Sequence, residues 1–301
     1  MDQETVRRPR WSPPRGRVVL RTAASDPMQE FLLYVPSAAA PGAPVMVSVH
    51  GLMRDATKQP VAFSKMCEER GAVMMAPIFR NDAHKDYQRL GRKGRGNRAD
   101  SLLHRLLAEV ASLSGADTTR IHLFGFSGGA QFAHRYAMAH PDRVARVVVA
   151  AAGWYTFPDP HERFPYGIRP TRALKGVTFD PDTFLRVPVT VLIGSLDTTT
   201  ENMRNTARTV AQQGATRLDR ARKWVSAMRD AATAMGLEPQ VSLTEVPGIG
   251  HSFAEFCERG NLVDLVRQAL FGEALVDGAP AAQPRREPVA KRPEPTAGNG
   301  R

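Results

Sequence analysis

Ser127 lies in the sequence Gly-Phe-Ser-Gly-Gly, directly after an apolar run and directly before a segment of helical period. A serine at a sharp strand-to-helix turn projects its hydroxyl clear of the sheet, and glycines at positions 125 and 129 avoid clashes in that turn. The helix N-terminus behind the serine adds a positive partial charge that favours a developing oxyanion. The pattern therefore predicts a nucleophilic serine that forms a covalent acyl-enzyme.

A serine hydroxyl needs a general base and an orienting carboxylate before it can attack a carbonyl carbon. Asp197 follows the predicted strand 189–193 and lies 70 residues after Ser127. His251 lies in a glycine-rich loop after the predicted strand 241–246. Serine, acid and histidine in this chain order are typical of one kind of α/β site. We predict Ser127, Asp197 and His251 as a catalytic triad.

The identity of the carboxylate leaves alternatives at this level. Asp159 or Asp180 could orient the base, and Asp197 could instead cap the turn that follows it, a common role of aspartate. The other histidines inside predicted helices or strands are typical of packing or surface roles: His104, His122, His134 and His140.

An oxyanion hole requires two backbone N–H donors, one of which belongs to the residue after the nucleophile. That residue is Gly128. The second donor is expected in the loop after an earlier strand, and His50-Gly51-Leu52 follows the predicted strand 45–50. We predict Leu52 as this donor, with Met53 as the alternative and His50 as a structural residue of the loop.

Two further segments bear on substrate binding. The stretch 80–98 contains seven basic and two acidic residues. It predicts that Arg89, Arg92, Lys93, Arg95 and Arg98 approach the active site and bind a carboxylate- or phosphate-bearing substrate, with Arg92, Lys93 and Arg95 as the main candidates, against the alternative of a solvated loop. The segment 153–186 contains seven of the 21 aromatic residues and five prolines. It is predicted to be a lid whose Trp154 and Tyr155 contact the substrate, or else a simple cover of the sheet edge.

These residues need a scaffold, and short apolar runs alternate along the chain with longer segments of helical period. That alternation predicts a mostly parallel sheet flanked by helices. Eight strands are predicted, at 18–22, 30–35, 45–50, 73–79, 121–126, 144–151, 189–193 and 241–246. Five helices are predicted, at 61–70, 99–113, 130–139, 216–235 and 262–271.

The predicted organisation is a flexible N-terminal arm at 1–16, one catalytic domain at 17–272 with the lid at 153–186, and a basic Pro/Ala-rich tail at 273–301. The tail is predicted to be disordered because it has too few large apolar residues to offset its ordering entropy.

Composition narrows the class of protein. The net charge of +11 belongs to the two terminal segments and the stretch 80–98, so no nucleic-acid partner is expected. No apolar run approaches the length of a membrane span, and no signal sequence is apparent, so a cytoplasmic location is expected. The two cysteines, Cys67 and Cys257, are expected to be unpaired, with a single disulfide as the alternative. The sequence does not indicate an oligomeric state.

The motifs resemble those of the α/β-hydrolase superfamily, and the resemblance covers about residues 17–272. They are His-Gly at 50–51, Gly-Phe-Ser-Gly-Gly at 125–129, Gly-Ser-Leu-Asp at 194–197 and Gly-His-Ser-Phe at 250–253. The short His-Gly loop and the absence of a long inserted cap domain look like the poly(3-hydroxybutyrate) depolymerase and feruloyl-esterase-like group. The resemblance implies an α/β-hydrolase fold and carboxylic-ester cleavage, with no metal and no organic cofactor.

The resulting hypothesis is a serine carboxylic-ester hydrolase that acts on a small or oligomeric ester, which would be anionic if the basic stretch 80–98 binds substrate. Because one fold hosts many reactions, other functions stay open. An acyltransferase, a thioesterase or a peptidase could use the same triad. A non-catalytic binding protein with basic tails is the alternative from a different class.

Overall fold

The computed structural model describes residues 12–201 and 203–272. Its centre is one eight-stranded sheet whose strands match the eight predicted from the sequence, with bounds that differ by a few residues. The strands are β1 Val18–Ala23, β2 Asp26–Tyr34, β3 Pro44–Val49, β4 Val73–Pro77, β5 Asp117–Phe126, β6 Val144–Ala150, β7 Val189–Gly194 and β8 Val241–Val246.

The strand order across the sheet is β1-β2-β4-β3-β5-β6-β7-β8. The pairs β1/β2 and β2/β4 are antiparallel, and every pair from β4/β3 to β7/β8 is parallel. The inner strands consist almost entirely of buried apolar residues, as expected for parallel strands that are covered on both faces. The predicted fold class, a mostly parallel sheet flanked by helices, is confirmed.

Helices cover both faces of this sheet, and all five predicted helices are present. They are α1 Lys58–Glu69, α2 Ala99–Ser114, α3 Gly128–Ala139, α6 Arg217–Ala234 and α8 Leu262–Phe271. Three shorter helices were not predicted: α4 Pro181–Phe184, α5 Ala207–Gln213 and α7 Phe253–Glu258. Each spans about two turns or fewer, too short to establish a helical period in the sequence.

The carboxyl ends of the parallel strands lie along one edge, which is where open α/β sheets bind their ligands. The loops that follow β3, β5, β7 and β8 contain the residues with predicted chemical roles. His50 follows β3, Ser127 follows β5, Asp197 comes three residues after β7, and His251 comes five residues after β8. The topology thus collects residues that are more than 200 positions apart in the chain.

The aromatic side chains of segment 153–186 are buried against the helices. Trp224 Nε1 in α6 donates to the Thr156 carbonyl at 2.8 Å, and Arg135 Nε in α3 donates to the Thr156 hydroxyl at 2.9 Å. Tyr155 stacks on Trp224 with 4.8 Å between ring centroids. These contacts make the segment part of the packed domain, and the predicted lid function stays a prediction.

Both chain ends were assigned separate roles from the sequence. Residues 1–11 of the predicted arm and the whole predicted tail, 273–301, lie outside the described residues. At the end of the arm, Gly16 N–H donates to the Val35 carbonyl at 2.8 Å. Cys67 is buried and Cys257 is half-buried, and neither forms a disulfide. Among the helices that the structure describes, none has the length and apolar character to cross a bilayer.

Candidate active site

The backbone at Ser127 has the conformation that a nucleophile turn requires. Its φ of 54° and ψ of −111° are unusual for a residue with a side chain. A Cβ on Gly125 would lie well inside 3.0 Å of the Gly129 backbone, and a Cβ on Gly129 would overlap the Val49 carbonyl oxygen. The two glycines therefore let strand β5 and helix α3 meet β3 closely enough to form the turn, and the positive φ carries a strain cost of order 1–3 kcal/mol.

The three predicted triad residues form a continuous hydrogen-bonded chain. His251 Nε2 lies 3.0 Å from Ser127 Oγ, and His251 Nδ1 lies 2.7 Å from Asp197 Oδ2. The His251 ring stacks on Phe126, with 5.5 Å between centroids, which restricts its orientation. Asp197 is buried, whereas about a quarter of the His251 side chain is exposed. This arrangement can remove the hydroxyl proton of Ser127 and stabilise the resulting imidazolium.

The alternative carboxylates are engaged in local turns. Asp159 Oδ1 accepts from the His161 N–H at 2.8 Å, and Asp180 Oδ1 accepts from the Asp182 N–H at the start of α4. The structure brings only Asp197 of the three aspartates to His251.

The loop after β3 lies against the nucleophile turn. The side chain of Leu52 lies against Gly128, since a Cβ on Gly128 would come within 2.9 Å of Leu52 Cγ. Gly128 is the first residue of α3, and its N–H has no partner within the helix. The Leu52 N–H donates to no carbonyl among the residues that the structure describes. The N–H groups of Gly128 and Leu52 stay the predicted oxyanion donors, with Met53 as the alternative to Leu52.

His50 holds this loop in place. Its Nε2 accepts from the Phe79 N–H at 3.0 Å, so its Nδ1 carries the proton and donates to the Gly51 carbonyl at 2.9 Å. Tyr87 donates its hydroxyl to the His50 carbonyl at 3.0 Å. Burial lowers the pKa of His50 to about 4, below its ordinary 6.5. His50 is therefore neutral at physiological pH, and its contacts fix the backbone that presents Leu52.

We expect His50 to make the protein less stable in acid. Below pH 6.5 the unfolded chain protonates this residue while the folded protein does not until about pH 4. The free energy of unfolding therefore contains the full contribution of neutral His50 above pH 6.5, and this contribution is lost as the pH falls toward 4. The expected loss from His50 between pH 7.5 and 4.5 is about 2.5 kcal/mol. Urea unfolding of the parent and of a His50 variant at these two pH values measures it as a difference, because burial also lowers the pKa of His84, His104 and His134. The variant His50→Asn should lose less stability on acidification than the parent, and an equal loss would contradict the assignment.

The chain can now be compared with known proteins. No family model matches the sequence, and no curated protein matches it. Among solved structures, the poly(3-hydroxybutyrate) depolymerase LpqC from Bordetella parapertussis is 27% identical, with a TM-score of 0.65 over 83% of this chain and 93% of that one. The chain has the α/β-hydrolase fold.

Two further solved structures share the fold of this chain. Poly(aspartic acid) hydrolase-1 from Sphingomonas sp. KT-1 is 23% identical, with a TM-score of 0.67 over 79% of this chain and 93% of that one. A ferulic acid esterase is 14% identical, with a TM-score of 0.55 over 85% of this chain and 98% of that one. The resemblance inferred from the sequence motifs is confirmed, and the neighbours support ester hydrolysis in general.

Two pockets of this protein meet at Ser127. The larger one, of about 540 Å³, has apolar walls formed by Leu52, Met53, Phe126 and Phe253. The smaller one, of about 120 Å³, is lined by polar and aromatic groups. Ser127, Leu52 and Arg217 border both pockets, so an ester bond at Ser127 would have one portion on each side.

The predicted substrate-binding residues occupy different places in the structure. Trp154 lines the smaller pocket, whereas Tyr155 is fully buried behind it. Arg92 Nε donates to Asp86 Oδ2 at 2.8 Å, Lys93 borders a separate groove, and Arg95 is exposed. None of the three basic residues belongs to the walls of the pockets at Ser127, so the expectation that they approach the active site does not fit the structure.

Two arginines that line these pockets, Arg204 and Arg217, were not predicted from the sequence, whereas Arg89 belongs to the basic stretch that was expected to approach the active site. Arg217, at the start of α6, donates from Nη1 to Asp197 Oδ1 at 3.2 Å and is itself buried. Arg89 and Arg204 line the smaller pocket. Arg204 follows Asp197 closely in the chain. No sequence signal distinguishes Arg204 and Arg217 from the other Lys and Arg residues, 41 in all, because their role depends only on where the fold places them.

No group of three or more His, Cys, Asp or Glu side chains in residues 12–201 and 203–272 is placed to hold a metal ion.

Proposed function

We propose that this chain is a serine carboxylic-ester hydrolase with Ser127 as nucleophile, His251 as general base and Asp197 as the orienting acid. The observation that supports this most directly is the hydrogen-bonded chain from Asp197 Oδ2 through His251 to Ser127 Oγ, with separations of 2.7 and 3.0 Å. The esterases and depolymerase among the structural neighbours support ester hydrolysis in general.

The proposed reaction has two halves. Ser127 Oγ attacks the ester carbon while His251 Nε2 takes the hydroxyl proton, and the N–H groups of Gly128 and Leu52 stabilise the tetrahedral oxyanion. The imidazolium then protonates the leaving alcohol as the carbon–oxygen bond breaks, which leaves an acyl-Ser127. Water, deprotonated by His251, attacks this acyl group, and the acid product departs with Ser127 regenerated.

The size and openness of the larger pocket favour a small or oligomeric ester. Its volume of about 540 Å³ is typical of small-molecule sites, and the exposed Leu52 and Met53 side chains extend its apolar wall to the surface. One structural neighbour is a depolymerase of poly(3-hydroxybutyrate) and another is a hydrolase of poly(aspartic acid). These parallels support including oligomers among the candidate substrates. A cytoplasmic location remains part of the proposal.

The other functions differ in what happens to the acyl group. An acyltransferase delivers it to an alcohol or amine instead of water, a thioesterase takes it from sulfur, and a peptidase takes it from nitrogen. Product analysis with esters of graded chain length, with and without added acceptors, separates these cases. A binding protein with basic tails would show none of these products.

A fluorophosphonate probe tests the nucleophile directly. We expect covalent labelling of the parent protein and its complete loss in Ser127→Ala, because only an activated serine attacks the phosphorus at a useful rate. Ser226→Ala is the matched control, since Ser226 is an exposed serine on α6 that should not affect labelling. Labelling that persists in Ser127→Ala would contradict the proposed nucleophile.

A further inference from the structure

The smaller pocket at Ser127, which we call the arginine pocket, is rich in guanidinium groups. Its volume is about 120 Å³, the volume of about four water molecules in the liquid. The residues that give it its chemical character are Arg89, Arg204, Arg217, Gln131 and Trp154. Three cationic side chains thus border a small cavity that also contains the proposed nucleophile.

The positive charge around this pocket exceeds the negative charge of its partners. Asp86 accepts from Arg89 Nε at 2.6 Å and from Arg92 Nε at 2.8 Å, so one carboxylate serves two guanidinium groups. In the described part of the chain, Arg204 is paired with no carboxylate, and its Nε donates to the Tyr166 hydroxyl at 3.2 Å. Arg217 is paired with Asp197, and the other oxygen of that carboxylate is hydrogen-bonded to His251.

The indole ring of Trp154 lies close to three guanidinium groups. The guanidinium carbons of Arg89, Arg135 and Arg204 lie 6.0, 4.5 and 5.6 Å from the centroid of its indole ring. Cation–π attraction of this kind holds an arginine in place without consuming its charge in an ion pair. Arg135 is fully buried, and no carboxylate bonds it within residues 12–201 and 203–272. The field from these groups therefore favours an anion in the arginine pocket.

A buried donor provides an independent indication of a missing partner. Arg217 is only 4% exposed, yet its Nε has no hydrogen-bond partner among the residues that the structure describes. An unpaired buried N–H on a charged group is costly, so such groups usually have a partner. Arg217 also borders the arginine pocket and the larger pocket, so its guanidinium lies beside the space that a bound anion would occupy.

We propose that the arginine pocket binds a free carboxylate of the substrate, so that the preferred substrates are esters with a carboxylate a few atoms from the scissile bond. This inference rests on the proposed ester hydrolysis and names its substrate class. Planar guanidinium groups match a carboxylate in shape and hydrogen-bonding pattern. The small volume fits a carboxylate on a short chain, while the larger apolar pocket accepts the remainder of the ester.

Two matched pairs of esters test the preference, one for each side of the scissile bond. Monomethyl glutarate is compared with methyl pentanoate, and 3-acetoxypropanoate is compared with propyl acetate. We expect the anionic member of at least one pair to have a kcat/KM higher by about tenfold to a hundredfold, the range expected for a hydrogen bond to a charged group. If neither anionic ester is preferred, the inference is wrong.

Arg204→Gln tests the residue that forms the mouth of the arginine pocket. Arg204 is exposed and without an ion pair in the described part of the chain, so its loss should leave the fold intact. The ratio of kcat/KM for the anionic ester to that for its neutral counterpart should fall by about tenfold, mainly through a higher KM for the anionic ester. Arg208→Gln is the matched control, because Arg208 also stacks on Tyr166, at 4.1 Å, but does not line the pocket. A preference that survives in Arg204→Gln would overturn the inference.

Calorimetric binding of glutarate separates this inference from the proposed reaction, because it requires no turnover. We expect glutarate to bind the parent protein and Ser127→Ala, and to bind Arg204→Gln at least tenfold more weakly. If esters are hydrolysed and Ser127 is labelled but glutarate does not bind, the pocket is wrong and the hydrolase proposal stands. If glutarate binds through Arg204 but neither labelling nor hydrolysis occurs, the hydrolase proposal is wrong and the anion site stands.

Discussion

Ser127→Ala lowers kcat for a neutral ester by on the order of a millionfold, His251→Ala lowers it about equally, and the double variant is no slower than either single variant. This is the expected result because the two residues act as one unit, so that removing either abolishes attack on the carbonyl carbon. The 3.0 Å separation of His251 Nε2 and Ser127 Oγ is the structural basis for this coupling. The residual rate should come from the oxyanion donors Gly128 and Leu52 and from substrate binding.

Single-turnover and steady-state rates of the four proteins measure this prediction, with thermal melting to confirm that each variant is folded. His161→Ala is the control, because His161 is an exposed histidine whose backbone alone bonds to Asp159. Additive losses, with the double variant far slower than each single variant, would show that Ser127 and His251 do not work together.

Gly129→Ala is expected to destabilise the protein by at least about 3 kcal/mol, or to prevent recovery of folded protein. A Cβ at this position would overlap the Val49 carbonyl oxygen and come within 2.7 Å of the His50 carbonyl oxygen. Both atoms belong to the backbone at the end of β3, which cannot move away without breaking its pairing with β4 and β5. Overpacking of this kind costs 1–3 kcal/mol when side chains can yield, and more when the backbone must shift.

Urea unfolding of Gly129→Ala and Gly250→Ala gives the comparison. A Cβ on Gly250 would meet only Glu255 Oε2, at an ordinary 3.7 Å, and Gly250 has no positive φ. Gly250→Ala should therefore change the free energy of unfolding by less than about 0.5 kcal/mol, as substitutions without a specific clash do. Equal stabilities of the two variants would show that the nucleophile turn does not depend on the small size of Gly129.

The fold was predictable because its signals are local and repeated. Strand β6, for example, is a run of β-branched and small apolar residues, and helix α2 has leucines at spacings of three and four. The short helices α5 and α7 were missed because their formation depends on caps, such as the Ser252 hydroxyl that accepts from the Glu255 N–H, rather than on periodicity.

The positions of the arginines around the pockets at Ser127 could not be predicted from such local signals. A guanidinium acts over a few ångströms, so its role depends on which elements fold beside it. Arg92 is paired with Asp86 because the loop after β4 folds back on itself, and Arg204 reaches Trp154 because the chain after β7 passes over segment 153–186. Neither contact can be predicted from residue types or from their spacing along the chain.

The sequence by itself determined the α/β sheet, the strained turn at Ser127 and the chain order of Ser127, Asp197 and His251. These features follow from hydrophobic periodicity and from glycine spacing, which are properties of neighbouring residues. Only the tertiary structure decided that Asp197 rather than Asp159 or Asp180 contacts His251, and that Arg89, Arg204 and Arg217 border the nucleophile. Such contacts join residues far apart in the chain, and their energies depend on burial and distance that exist only once the sheet and its helices are packed.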